Sequence, residues 1–378
     1  MFNEKIVLSR DLLGCQNHIA LYENGKVRVC ENFSYDEFSI GNKVFKEGEL
    51  FDISPIVGIE LDHPFSIQLC ESYRSIYGDE INWLRALGKA KFAQKISEYL
   101  NRTKLEILSK DKRNYLSVIR SGRKILGRLD RISVDENSLR KKLLEKDTTT
   151  LRSLIPTKDG LCETVRYSHE SQTGRMTVKE GPRVLLLSKE DRKLFRANNP
   201  DNVLCQVDFV SLEPRVAYLL CNESAPKDIY TFMGEKIGEN ISRAQLKIAT
   251  ISSLYGSTKS DPRVSKKINN FFSLETISKK YLQDEEMYNL YGRPLAPENE
   301  YVRLSHFVQS TAVDVSLLGF SKFADSYDII PYFMIHDSLV FECSRETYKN
   351  LKNTNDLFLD VEPLGRFYLE FSEFFHDN

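Results

Sequence analysis

Gln206-Val207-Asp208-Phe209-Val210-Ser211-Leu212-Glu213-Pro214-Arg215 is the stretch on which the fold turns. The run leading into it, Val203-Leu204-Cys205-Gln206-Val207, is apolar and β-prone, so a strand is expected to deliver Asp208 at its end, where a carboxylate can reach a cation. The same residues also fit a surface helix with an N-cap aspartate and an incidental glutamate. A second acid, Asp337, lies in Met334-Ile335-His336-Asp337-Ser338-Leu339-Val340-Phe341-Glu342, which reads as a hairpin carrying the acid at its turn. Between the two lies Arg243-x-x-x-Lys247-x-x-x-Ile251-x-x-x-Tyr255-Gly256. Residues four apart drift by about 40° per step along a helix, so two cations and a tyrosine share one side. Ile248, Ala249, Ile251 and Leu254 supply the side expected to be buried. Acid, cation helix, acid is the order that a phosphoryl-transfer site built on two metal ions requires.

Working outward, the chain has 378 residues, of which 41% are hydrophobic and 28% charged, enough for a sizeable core divided into subdomains. No run of about 18 apolar residues occurs, and no membrane span is expected. Met1-Phe2-Asn3-Glu4-Lys5-Ile6 has neither the layout of a secretory signal nor that of a transit peptide. The seven cysteines are scattered and include no CxxC pair, which fits a reducing, cytoplasmic compartment and no structural zinc. The net charge of −1 hides an asymmetry. Arg85 to Lys142 holds 17 Lys+Arg against 6 Asp+Glu, a local +11 in a chain that is otherwise about −12. Such a segment attracts a polyanion, although a solvated lysine-rich helical face has the same composition.

Residues 1–60 read as β-rich: Ile19 to Tyr22 and Lys26 to Cys30 flank Glu23-Asn24-Gly25, a hairpin with its turn residues in place. From about Asp79 to Glu145 the apolar spacing becomes helical, with Gly122, Gly127 and Asp130 as expected breaks. Further on, Thr173-Gly174-Arg175-Met176-Thr177 precedes Pro182, and Arg303 to Ala312 includes His306, Gln309 and Thr311.

Taken together, four stretches in this order over residues 173–342 resemble the family-A DNA polymerases: Thr-Gly-Arg, Asp208-x4-Glu213-x-Arg215, the cation helix with its Tyr-Gly ending, and Gln309 to Ala312 followed by His336-Asp337. The resemblance implies an α+β, right-hand fold. Its parts are a β-rich N-terminal region (1–78), a basic helical thumb (79–155), a palm in two parts (156–220 and 300–378) whose antiparallel sheet holds both aspartates, and helical fingers (221–299). It further implies two Mg²⁺ ions on Asp208 and Asp337, with Mn²⁺ able to substitute, and primer–template DNA and dNTPs as partners. Arg243 and Lys247 would clamp the triphosphate, with Lys247 protonating the leaving pyrophosphate. Tyr255 would reach the templating pair, and Glu213 would exclude a 2′-hydroxyl. Arg175, Gln309, His336 and Arg215 fall among the DNA contacts.

The chain departs from the family at three places. Ile251 stands where an aromatic is usual, Ser252 where glycine is, and Ser338 where glutamate is. The serines are shared with single-subunit RNA polymerases, so use of ribonucleotides is one alternative. A decayed polymerase kept for nucleic-acid binding is another. No Asp-x-Glu stands on an early strand, so no 3′→5′ proofreading domain is expected. Tyr255 to Arg303 is short for fingers, and the compact layout suits a phage or mobile-element enzyme.

Overall fold

Alternation along a strand of seven residues organises the described fold. The structure, a computed structural model, describes residues 5–8, 19–23, 26–30, 72, 75–76, 90–91 and 115–374, the last range excepting 169–170, 223, 239–240, 256–260, 284–286 and 300–301. The chain divides into two units, Met1–Leu116 and Ser117–Asn378. In the first, β1 (Lys5–Leu8), β2 (Ile19–Glu23) and β3 (Lys26–Cys30) form an antiparallel sheet in that order. Glu23 pairs with Lys26, the register expected of a hairpin closed by Asn24-Gly25. Most of the helical stretch expected from Asp79 lies outside the described residues.

The second unit takes in most of α1 (Tyr115–Leu126), followed by α2 (Glu136–Glu145), which starts where the Asp135 side chain accepts from the Ser138 amide at 3.0 Å. Gly127 ends α1 as expected, but Gly122 does not break it. Gly122 lies inside the helix, where an added Cβ would stand 3.4 Å from Leu317. Four cations at the described end of the basic stretch pair with later acids: Lys124 and Arg128 with Asp325, Arg131 with Asp159, and Lys142 with Asp191.

The principal sheet has five strands: β4 (Val203–Phe209), β5 (Ile329–Ile335), β6 (Ser338–Cys343), β7 (Phe358–Val361) and β8 (Gly365–Glu373). They run antiparallel in the order β5-β6-β4-β8-β7, so β4 is central. Pro331 sits on edge strand β5, where a missing N–H is tolerated, and the register shifts beside it. Along β4, period-2 alternation sends Val203, Cys205, Val207 and Phe209 to one face and Leu204, Gln206 and Asp208 to the other.

Between β4 and β5 the chain makes a helical excursion: α3 (Leu212–Leu219), α4 (Ile229–Ile237), α5 (Arg243–Leu254), α6 (Pro262–Phe271) and α7 (Leu274–Tyr281). The helix α8 (Arg303–Ser326), 24 residues long, then returns it to the sheet. α8 covers the apolar face so closely that a Cβ on Gly319 would lie 2.6 Å from the Phe209 ring. Phe209 meets Phe320 at 5.0 Å between centroids, and Phe341 meets Phe323 at 5.5 Å. The buried Asp314 of α8 is compensated by Arg293 at 2.5 Å and by the Asn289 amide at 2.6 Å, as a carboxylate in a core requires. On the sheet's other face, at the far end from Asp208, Glu342 is buried. It accepts from the Asn198 and Asn199 amides, the Asn202 side chain at 2.8 Å and the Tyr332 hydroxyl at 2.6 Å.

Helix α5 corrects one expectation. Its buried side is Leu246, Ala249, Thr250 and Leu254, while Ile248 is 69% exposed and Ile251 43%. At about 100° per residue the stripe through 246, 249, 250 and 254 leaves positions 248 and 251 outside it. No helix among the described residues is long and apolar enough to cross a membrane.

Candidate active site

The sheet places the two aspartates at adjoining strand ends. β5 and β6 pair Ile335 with Ser338, leaving His336-Asp337 as a two-residue turn. Ser338 pairs in turn with Asp208 on β4, and the Phe209 amide donates to the Asp337 carbonyl at 3.1 Å, fastening the turn to the end of β4. On the other side of β4, Asp208 pairs with Glu370 of β8. Among the described residues, two of the three non-glycine residues with positive φ flank these acids: His336 at φ 55 beside Asp337, and Ser211 at φ 53 three residues after Asp208. L-residues occupy that region at a cost, and such strain gathers where a sharp turn must aim a side chain. The two aspartates predicted to work together are therefore neighbours, with exposed His336 beside them.

Their electrostatics are unfavourable as they stand. Burial, then the charges of Asp337 and Glu370, push the Asp208 carboxyl up to about 8, with Lys247 opposing. Burial also raises Asp337. His336 and Arg175 work against that shift, and Glu213 adds to it. Two half-buried carboxylates that repel one another favour a bound cation. Hard oxygen donors of this kind fit Mg²⁺, which takes one or two carboxylates and completes its shell with substrate oxygens and water. The hydroxyl of Ser338, buried beside Asp208, has no hydrogen-bond partner, a further sign of a group still to be satisfied. Among the described residues, no three His, Cys, Asp or Glu side chains are assembled to hold a metal.

A second cluster adjoins this pair. The Arg175 guanidinium is ion-paired with Glu213 and donates to the Tyr255 hydroxyl at 3.1 Å, while that hydroxyl donates to Glu213 at 2.6 Å. Three residues from three predicted stretches thus close into one network. Arg175 arrives through the turn at Gly174, whose φ of 73 suits glycine and where a Cβ would strike the Arg293 guanidinium at 2.8 Å. Tyr255 caps the end of α5, and burial, reinforced by Glu213, raises its hydroxyl to about 12.

α5 begins at a capping box, Ser242 with Gln245, which fixes where its cations emerge. Lys247 is exposed and acts on Asp208. Arg243 is held by Asp228 at 2.8 Å and lies 5.4 Å from the Tyr230 ring centroid. Ile251 shares this open side, and Gly256 lies outside the described residues.

Arg215 is a correction. It is fully buried, and its guanidinium donates to the carbonyls of Val210 (3.4 Å), Ala225 (3.3 Å) and Lys227 (2.7 Å), lying 5.1 Å from the Tyr368 ring centroid. Burial lowers it to about 10, and with no exposed surface the side chain is placed to hold the backbone rather than to meet a ligand. Glu213 and Arg215 are two residues apart on α3, about 200° around the helix, so one faces the site and the other the interior. Gln309, on α8, is 8% exposed and is not joined to either cluster by a hydrogen bond. Three features escaped the sequence: Glu370 opposite Asp208, Asp228 holding Arg243, and the Arg293–Asp314 pair. Asp228 alone left a local signal, an Asp before an apolar helical run.

No family model and no curated protein matches the chain. Among solved structures, the polymerase domain of Pol1 from M. smegmatis, in complex with DNA primer-template and dNTP, matches with a TM-score of 0.51 and 14% identity, over 80% of this chain and 77% of that one. The fold is accordingly α+β with antiparallel sheets, similar to that of a DNA polymerase domain.

Proposed function

We propose that the protein is a template-directed DNA polymerase that adds deoxynucleotides to a primer 3′-hydroxyl. The observation that carries this reading is the meeting of Asp208 and Asp337 at paired strand ends, beside a network that joins Glu213 to Tyr255 of the cation helix. In this reading the five-stranded sheet and α8 form the palm, residues 221–299 the fingers and 79–155 the thumb, with 1–78 as a separate region. Asp208 and Asp337 hold divalent cations, Mg²⁺ or Mn²⁺, which when bound would lower the pKa of the 3′-hydroxyl and offset charge on the leaving pyrophosphate. Lys247 and Arg243 face the triphosphate, Arg243 exchanging its Asp228 partner for phosphate, and Lys247 gives its proton to the pyrophosphate. Glu213, fixed by Tyr255 and Arg175, occupies the place of a 2′-hydroxyl. Arg175, Gln309 and His336 contact the primer–template, and Ile251 borders the incoming nucleotide.

The test is extension of a templated DNA hairpin with dNTPs and rNTPs in separate lanes, with Asp337→Ala as control. Extension with dNTPs that the variant loses, with the hairpin still bound, is expected. Normal turnover by Asp337→Ala overturns the assignment of the cation site. Extension with rNTPs favours a relaxed sugar choice, for which exposed Ile251 and buried Ser338 are the residues responsible. Binding without extension in Mg²⁺ or Mn²⁺ leaves a binding protein.

A further inference from the structure

Three residues form one row across the sheet: Glu370 on β8, Asp208 on β4 and Ser338 on β6, directly paired at both steps. Directly opposed residues of antiparallel strands project to the same face with Cβ atoms about 4.5–5.5 Å apart. Glu370 and Ser338 therefore flank Asp208, one on each side. Like charges in such a pair repel, so Glu370 opposite Asp208 destabilises the sheet unless a cation comes between them. Glu370 is exposed, and its charge is felt by Arg243 as well as by Asp208. On the other flank Ser338 is 5% exposed, and its hydroxyl is buried without a partner. A buried hydroxyl left so costs on the order of 1–3 kcal/mol, and Asp208, directly opposite on the same face, carries an acceptor for it.

We propose that Glu370 is the third carboxylate of the divalent-cation site on Asp208 and Asp337, gripping the cation through its water shell, while the Ser338 hydroxyl donates to the Asp208 carboxylate. Glu370 acts through water because the described acids form no ready-made cage of three, and Mg²⁺ keeps several of its waters. Residues that hold a metal's outer shell alter its affinity by about 10–100-fold when changed. The inference rests on the proposed reading of the aspartate pair, and the experiment separates the two.

Binding of Mn²⁺ alone to the full chain is followed by the electron paramagnetic resonance signal of the free ion. The proteins compared are the wild type, Asp208→Asn, Asp337→Asn, Glu370→Gln, Glu370→Asp and Glu346→Gln, the last removing an exposed charge just beyond the far end of β6. Thermal melts in EDTA establish that each is folded. Glu370→Gln is expected to weaken Mn²⁺ binding by about tenfold, Glu370→Asp by less, and Glu346→Gln by under twofold. If both Glu370 variants bind within twofold of the wild type while Asp208→Asn loses binding, Glu370 is not part of the site and the aspartate pair stands. An equal loss in Glu346→Gln reduces Glu370 to a distant charge and overturns the proposal. If neither aspartate variant changes Mn²⁺ affinity, the reading of the pair falls, and this one with it.

Discussion

Replacing Asp208 by asparagine is expected to stabilise the cation-free protein at pH 8. Burial and the neighbouring carboxylates raise the Asp208 carboxyl to about 8, against about 3.9 in an unfolded chain. A carboxyl with a raised folded-state pKa binds its proton more tightly when folded. Its contribution to stability is fully present below about pH 4 and is lost as pH rises through the folded value near 8. The gap of roughly four units, at about 1.4 kcal/mol each, sets a ceiling of about 5–6 kcal/mol. Asp337 shares the repulsion, so the cost belongs to the pair. Partial exposure of the site screens it further, and a gain of about 2–3 kcal/mol at pH 8 is the expectation. At pH 5 only about one unit of the gap has been crossed, and the gain should shrink to about 1 kcal/mol or less. Urea unfolding of both proteins in EDTA at the two pH values measures this. Adding millimolar Mg²⁺ at pH 8 should raise the wild-type midpoint and leave the variant nearly unmoved. A variant no more stable than the wild type at pH 8, or one whose advantage is the same at both pH values, would refute the electrostatic argument.

Other substitutions test the frame around the site. Gly319→Ala drives a methyl into the Phe209 ring, 2.6 Å from its Cζ. It should cost about 1–3 kcal/mol in chemical denaturation, and it should slow extension because Phe209 adjoins Asp208. Arg215→Ala leaves three backbone carbonyls without their donor. A loss of about 2–4 kcal/mol is expected, with hairpin affinity unchanged in gel-shift titration as long as the variant is folded. Glu213→Ala should raise incorporation of rNTPs relative to dNTPs, and an unchanged ratio would remove Glu213 as the sugar filter.

What the sequence revealed and what it hid divide along the range of the interactions. The strand into Asp208, the turn at Asp337, the face shared by Arg243, Lys247 and Tyr255, and the turn at Gly174 are all written in neighbouring residues, through periods of two and four and through turn chemistry. Spacing from Glu213 says nothing about which side of a helix is buried, so the burial of Arg215 is not legible in it. The exposure of Ile248 is hidden for the same reason, since apolar character alone does not choose the face. Glu370 could not be found at all. Its place beside Asp208 depends on β8 pairing with β4 in one register, across 162 positions of sequence. Much of the basic stretch reads as free charge in sequence, yet its described end is paired with acids such as Asp325 and Asp191 that come far later in the chain.

The same sheet face carries a buried carboxylate at Glu342 and a half-buried one at Asp208, and the contrast between them argues for function at one end. Glu342 is surrounded by four donors from the Asn198–Asn202 segment and Tyr332, which is how a fold satisfies a carboxylate it buries for architecture. Asp208, four pairs away along the same two strands, meets instead the charges of Asp337 and Glu370, with Lys247 as its offset. Nothing in the sheet's geometry forbids an amide or hydroxyl at position 208, and the strain at His336 and Ser211 adds to the local cost. A repelling pair of carboxylates at a strained turn, a short distance from a carboxylate whose burial is fully satisfied, is the contrast that supports the proposed cation site on Asp208 and Asp337.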